Sequence, residues 1–165
     1  MSEEPDTPLA DRTEIGYLLD RAIRPIAMQL HQRLAEVGYG DLRPSHRFVF
    51  TRMDEDGAAI TDLATASGVT TQAISQVVRE LVGLGYLTRT KDGSDRRVTV
   101  VRLTPAGHKA VAAIRKVQHE IETEWACIRG HPWLEGLRND LIELNRLLRP
   151  PDAHGPPSRD GSRIA

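Results

Sequence analysis

From Ile15 to Val37 apolar side chains return at three- and four-residue steps, through Leu19, Ala22, Ile23, Ile26, Leu30 and Leu34. That is the period of one helix face. Thr13 stands where an N-cap belongs and Gly38 where the helix should stop. Pro25 interrupts the stripe and brings no backbone N–H, so a kink between Arg21 and Pro25, or a short separate first turn, is expected. A second helix is predicted to open at Pro44 and to end before Asp54-Glu-Asp-Gly57. A short helix from Asp62 to Ala66, a turn at Gly68 and a helix from Thr71 to Leu84 follow.

The period then changes. Tyr86 to Thr90 and Val98 to Leu103 are rich in β-branched and aromatic residues, and Lys91-Asp-Gly-Ser-Asp-Arg96 between them reads as a hairpin loop. Thr104-Pro105 supplies an N-cap and first-turn proline for a helix whose stripe runs through Val111, Ile114, Val117, Ile121, Trp125 and Ile128. Gly130-His131-Pro132 breaks it, and a last helix carries Leu134, Leu137, Leu141, Leu144 and Leu148 at alternating steps of three and four. The fold class expected is mainly α with a small β-wing.

Length and charge narrow this. At 165 residues the chain accommodates one modest core, and its net charge of −1 neither announces nor excludes a nucleic-acid partner. Distribution is more telling: the first twenty residues hold six carboxylates against Arg12 alone, whereas Tyr86 to Thr104 holds five cations against Asp92 and Asp95. The single cysteine, Cys127, permits no internal disulfide and is expected to be a core or interface thiol. With no signal pattern and no apolar run of membrane-spanning length, a cytoplasmic protein with no membrane partner is expected.

The segment Ile60 to Val78 meets the needs of a helix-turn-helix. Ala64 is small enough for a close crossing, Gly68 can take a left-handed turn four residues later, and Ile74 and Val77 are expected to face Leu63 and Val69. Residues off that packed face would then meet DNA: Thr70 as N-cap near a phosphate, with Thr71, Gln72, Ser75, Gln76 and Arg79 along the second helix. Gln72 and Gln76 can pair with base edges such as adenine, and Arg79 can reach phosphate or guanine. The hairpin adds Arg96 and Arg97 at its tip, suited to the negative potential of a minor groove, with Asp95 placed to hold Arg97 by a charge-assisted pair.

Together, Thr61-Asp-Leu-Ala64, Gly68-Val-Thr70, Ile74-Ser75, Leu84-Gly-Tyr-Leu87, Asp95-x-Arg97 and Leu103-Thr-x-x-Gly107 resemble the MarR family of bacterial transcription regulators. The resemblance implies a winged helix-turn-helix framed by long N- and C-terminal helices that form a homodimer interface. The corresponding division is an acidic, disordered tail over residues 1–10, an N-terminal dimerisation helix over 11–42, a winged DNA-binding domain over 43–104, C-terminal dimerisation helices over 105–149, and a disordered tail over 150–165. The leucine stripe of the last helix agrees with a dimer, because it offers more apolar surface than one small winged domain buries. A two-fold dimer would bind a palindromic operator on double-stranded DNA. The family resemblance further implies a small aromatic or phenolic effector, with Tyr17, His31, Arg43, His46, Arg47 and Phe50 the residues nearest the corresponding crevice.

No catalytic motif, metal-ligand constellation or cofactor-binding loop competes with this reading. The rival is a winged-helix module that binds protein and not specific DNA; Arg96 and Arg97 argue against it, since such a wing has no need of cations at its tip.

Overall fold

In the computed structural model, residues 13–53, 57–91 and 99–148 are described. Both expected tails and the hairpin tip with Asp95, Arg96 and Arg97 lie outside these residues. The chain divides into two compact units, with the boundary inside one helix between Ile121 and Glu122.

The first unit begins with α1 (Ile15–Glu36), which runs through Pro25 as a single helix of 22 residues. No separate first turn forms: proline deletes one donor, and the Ile-Ala-Met-Gln-Leu run after it sustains the helix. The N-cap is Glu14 and not Thr13, and no side-chain cap bond is made there. Gly38 does stop the helix, at φ +92°, while the Tyr39 N–H turns back onto the Leu34 carbonyl at 2.8 Å. A 3₁₀ turn at Pro44–His46 leads into α2 (Arg47–Phe50), shorter than the helix expected there.

The next strand escaped the sequence reading. β1 (Ala58–Ala59) pairs antiparallel with β3 (Thr99–Leu103), which pairs on its other side with β2 (Leu87–Lys91), giving the order β1-β3-β2. Two alanines carry no β signal. The pairing depends instead on Gly57 at φ +89°, where a Cβ would stand 2.4 Å from the Val101 carbonyl oxygen. The hairpin register runs from Leu87 opposite Leu103 to Lys91 opposite Thr99.

Between β1 and β2 lie α3 (Ile60–Ser67) and α4 (Thr71–Gly83). Gly68 ends α3 in the left-handed region, and the Val69 N–H bonds the Ala64 carbonyl at 3.3 Å. Thr70 Oγ1 then caps α4 by accepting from the Ala73 N–H at 3.2 Å. The seam between the helices is Leu63 and Ala64 against Ile74, Val78 and Leu81, all buried. Here the expectation needs correction: Val78 is the fully buried residue, Val77 is only partly so, and Val69 is exposed beside the turn. Val78 and Leu81 lie four and seven residues after Ile74, so they continue its face, whereas Val77 sits at its edge. Truncating Leu81 to Ala would cost about 2–5 kcal/mol, the range for emptying a sealed core site.

α5 (Pro105–Arg129) starts from a junction that explains the Leu103-Thr-x-x-Gly107 pattern. Thr104 Oγ1 donates to the Gly85 carbonyl at 2.6 Å and accepts from the Gly107 N–H at 3.1 Å. Gly107 packs against the hairpin entry, where a Cβ would stand 2.1 Å from the Tyr86 carbonyl oxygen. Only glycine permits that approach.

The second unit contains the end of α5 and α6 (His131–Leu147). Arg138 of α6 pairs with Glu122 at 2.6 Å and also with Glu135, and the Arg129 guanidinium lies 5.6 Å from the Trp133 ring centre. No residue of α6 is buried, and Leu137, Ile142 and Leu147 are exposed. Cys127 is exposed as well, so it is not a core thiol. No described helix is long and apolar enough to cross a membrane.

Candidate nucleic-acid interface

α4 separates its residues sharply by face. Ile74, Val78 and Leu81 are sealed in the core, whereas Thr70, Thr71, Gln72, Gln76 and Arg79 are exposed and Ser75 is half-buried. The six α4-side residues singled out for DNA contact therefore share the outer side of one helix and its cap. The capped N-terminus carries the positive end of the helix dipole.

Two of these side chains are not free-swinging. The Gln76 amide oxygen accepts from Arg79, and its Nε2 donates to Glu80 Oε1 at 3.0 Å. Glu80 is half-buried, and its other oxygen lies 3.3 Å from His46 Nε2 and 3.4 Å from the Arg43 guanidinium. His46 is fully buried, and its Nδ1 accepts the Arg43 backbone N–H at 3.1 Å. With Nδ1 an acceptor, neutral His46 carries its proton on Nε2 and donates to the carboxylate. The Glu80 carboxyl is held below its usual range, most by the Gln76 hydrogen bond and next by that of His46; burial opposes them, and the Arg43 and His46 charges add smaller lowering effects.

The sheet contributes cations that the sequence reading counted but did not assign. Arg89 shares its face of β2 with Leu87 and reaches across to donate to the Ser75 carbonyl at 3.3 Å. Arg102 lies on the opposite face of the sheet and donates to Thr90 Oγ1 at 2.8 Å. The cation-rich stretch from Tyr86 to Thr104 was the signal for both. Arg52 was also passed over; it donates to the Ala66 carbonyl at 2.8 Å, bracing the last turn of α3. Glu80 was missed because a carboxylate on a presumed DNA-reading helix has no direct use against phosphate.

A small pocket opens between α1 and the segment from Leu42 to Phe50. Ala27, Leu30, His31 and Leu34 of α1 form one wall, Leu42, Arg43, Pro44, His46, Arg47 and Phe50 another, and Ile114 of α5 closes it. Five of the six crevice candidates meet there, whereas Tyr17 lies about three helical turns earlier on α1 and does not line it. A neighbouring cleft shares His31, Arg43 and His46 and adds Asp41 and Glu80. Among the described residues, no group of three or more His, Cys, Asp or Glu side chains is arranged to hold a metal ion.

Residues 42–98 match the family model described as MarR family, MarR_2. The chain is 26% identical over 136 residues to the HTH-type transcriptional regulator YpoP of Bacillus subtilis (strain 168), an alignment covering 81% of this chain and 92% of that protein. It is 24% identical over 151 residues to the exopolysaccharide II synthesis transcriptional activator ExpG of Rhizobium meliloti (strain 1021), covering 86% and 77% respectively. Among solved structures it resembles the transcriptional repressor CouR bound to a 23-mer DNA duplex, with a TM-score of 0.69 and 26% identity over 88% of this chain and 100% of that one.

Proposed function

We propose that this chain is a MarR-type transcriptional regulator, a repressor that binds a palindromic operator as a homodimer and is released by a small aromatic or phenolic effector. The observation that carries the reading is the outer face of α4, where Thr70, Thr71, Gln72, Gln76 and Arg79 stand exposed above a sealed apolar seam. Such a helix presents short and bidentate polar groups to base edges from a rigid support. Arg96 and Arg97 would enter the adjacent minor groove, with Asp95 pairing with Arg97. The family likeness to a repressor whose structure contains a DNA duplex supports the choice of partner. The uncovered apolar faces of α1 and α6 support the dimer. The pocket joining His31, Arg43, His46, Arg47 and Phe50 supports an effector with an aromatic body and a polar edge.

The test is fluorescence anisotropy on labelled DNA from upstream of the chain's own gene, against scrambled duplex, across a salt series. Binding that discriminates the two and weakens steeply with salt is expected. Arg97→Ala should weaken binding to every sequence and flatten the salt dependence, while Gln76→Ala should change sequence preference. Equal affinity for own and scrambled DNA at every salt, repeated with other promoters, would instead favour the protein-binding module.

A further inference from the structure

We propose that Glu80 is a positioning residue for base recognition: its carboxylate fixes which way the Gln76 amide faces, and hence the donor and acceptor order that α4 shows to a base pair. This rests on the reading of α4 as the DNA-contacting helix.

The argument is one of hydrogen-bond sense. An amide side chain can be turned end for end with little change in shape, so its polarity is set by its neighbours. On one side of Gln76 stands Arg79, which only donates; on the other stands Glu80, which only accepts. One orientation satisfies both. The amide keeps one N–H and one lone pair in hand, the complement that a bidentate contact with adenine needs.

Only a carboxylate can do this at residue 80. Gln76 needs an acceptor at Oε1, while His46, fixed as an Nε2 donor by the Arg43 N–H on its Nδ1, needs an acceptor at Oε2, as does the Arg43 guanidinium. Glutamine has the same shape but puts an NH₂ on one of those sides. Buried His46 and the Arg43 guanidinium, two donors on one side, would take its oxygen, so its NH₂ would meet the Gln76 NH₂ donor against donor and the amide of Gln76 would lose its fixed sense. Anchoring is firm on the protein side, because His46 is fully buried while Gln76 is exposed.

Glu80→Gln, Glu80→Ala, Gln76→Ala and the double variants with Gln76→Ala are titrated against the operator and against duplexes carrying single base-pair changes through one half-site. The position at which Gln76→Ala loses preference marks the pair that Gln76 reads. There, a bidentate contact discriminates by roughly five- to a hundredfold, and Glu80→Gln should reduce this to within about twofold. Removing a carboxylate near DNA should leave or raise affinity for all sequences together, so the ratio is the informative readout. In the Gln76→Ala background neither Glu80 substitution should alter discrimination. A uniform change across all duplexes with the ratio intact, or an equal change in both backgrounds, would overturn the role of Glu80 while leaving DNA binding in place. Absence of any discrimination by the parent protein would overturn the reading of α4 itself, and this assignment with it.

Discussion

The junction at Thr104–Gly107 and the last helix, α6, are both built from ordinary helix-forming sequence around a glycine, yet they use their residues in opposite ways. At the junction the backbone of α5 presses onto the hairpin, with Thr104 bonded to both sides and Gly107 buried. In α6 no residue is buried and the apolar side chains Leu137, Ile142 and Leu147 stand exposed. The winged unit completes its core within one chain, whereas the apolar stripe of α6 is left uncovered, the face that the proposed homodimer would use.

The same substitution made in both places should divide them most strongly. Gly107→Ala puts a methyl group 2.1 Å from a backbone oxygen, whereas at Gly136 in α6 nothing lies within 4 Å of the added carbon. Gly107→Ala is expected to destabilise by about 4 kcal/mol or more, in the range of severe overpacking and lost contacts. Gly136→Ala is expected to stabilise by about 0.5–1 kcal/mol through helix propensity. Urea denaturation of the two variants measures both; a loss at Gly136 would mean that α6 is closely covered in solution at that point.

Next in size is the contrast in what holds each region. Leu137→Glu places a charge on the exposed stripe of α6 and should raise the dimer dissociation constant about ten- to a hundredfold, the equivalent of roughly 1–3 kcal/mol. Sedimentation equilibrium would detect it. A dimer of unchanged strength in Leu137→Glu and again in Ile142→Glu would remove this face from the interface.

How much of this was legible in the chain follows from which kind of signal each feature carries. Helices with a one-sided stripe were placed to within a few residues, because residues three and four apart share a face whatever the tertiary detail, although within α4 the stripe was read through Val77 where Val78 is the sealed residue. The Gly68 turn and the Thr70 and Thr104 caps were readable as local chemistry. β1 was not, because two alanines state no preference and their pairing is enforced by Gly57 against Val101. Val69 was misassigned for a related reason, since a residue leaving a left-handed turn does not keep the helical phase of its predecessors. At the candidate site, the α4 residues could be chosen from spacing alone. Their tether through Glu80 to His46 joins residues 34 apart in sequence, and no periodicity announces such a contact.

The smallest effect concerns the tyrosine against which the junction is built. Tyr86 is buried, edge-on to Phe50 at 6.2 Å, and its hydroxyl donates to the Asp41 carboxylate at 3.0 and 3.1 Å. Burial first, and then the Asp41 hydrogen bond, push the phenol up to about 12 from an ordinary value of 10.0. In this window the folded state binds the proton more tightly than the unfolded chain, so the contribution of Tyr86 is complete below pH 10 and is lost as pH rises toward 12. Tyr86→Phe removes the hydrogen bond and should cost about 0.5–1.5 kcal/mol at neutral pH, with part of that reflecting an Asp41 left short of a donor. The gap between parent and variant in urea midpoint should then narrow from pH 10 to pH 11, because ionisation weakens only the parent. A gap that stays constant across that interval would mean that the phenol is not held protonated by burial beside Asp41, and that the hairpin entry tolerates a looser fit than the Gly107 contact implies.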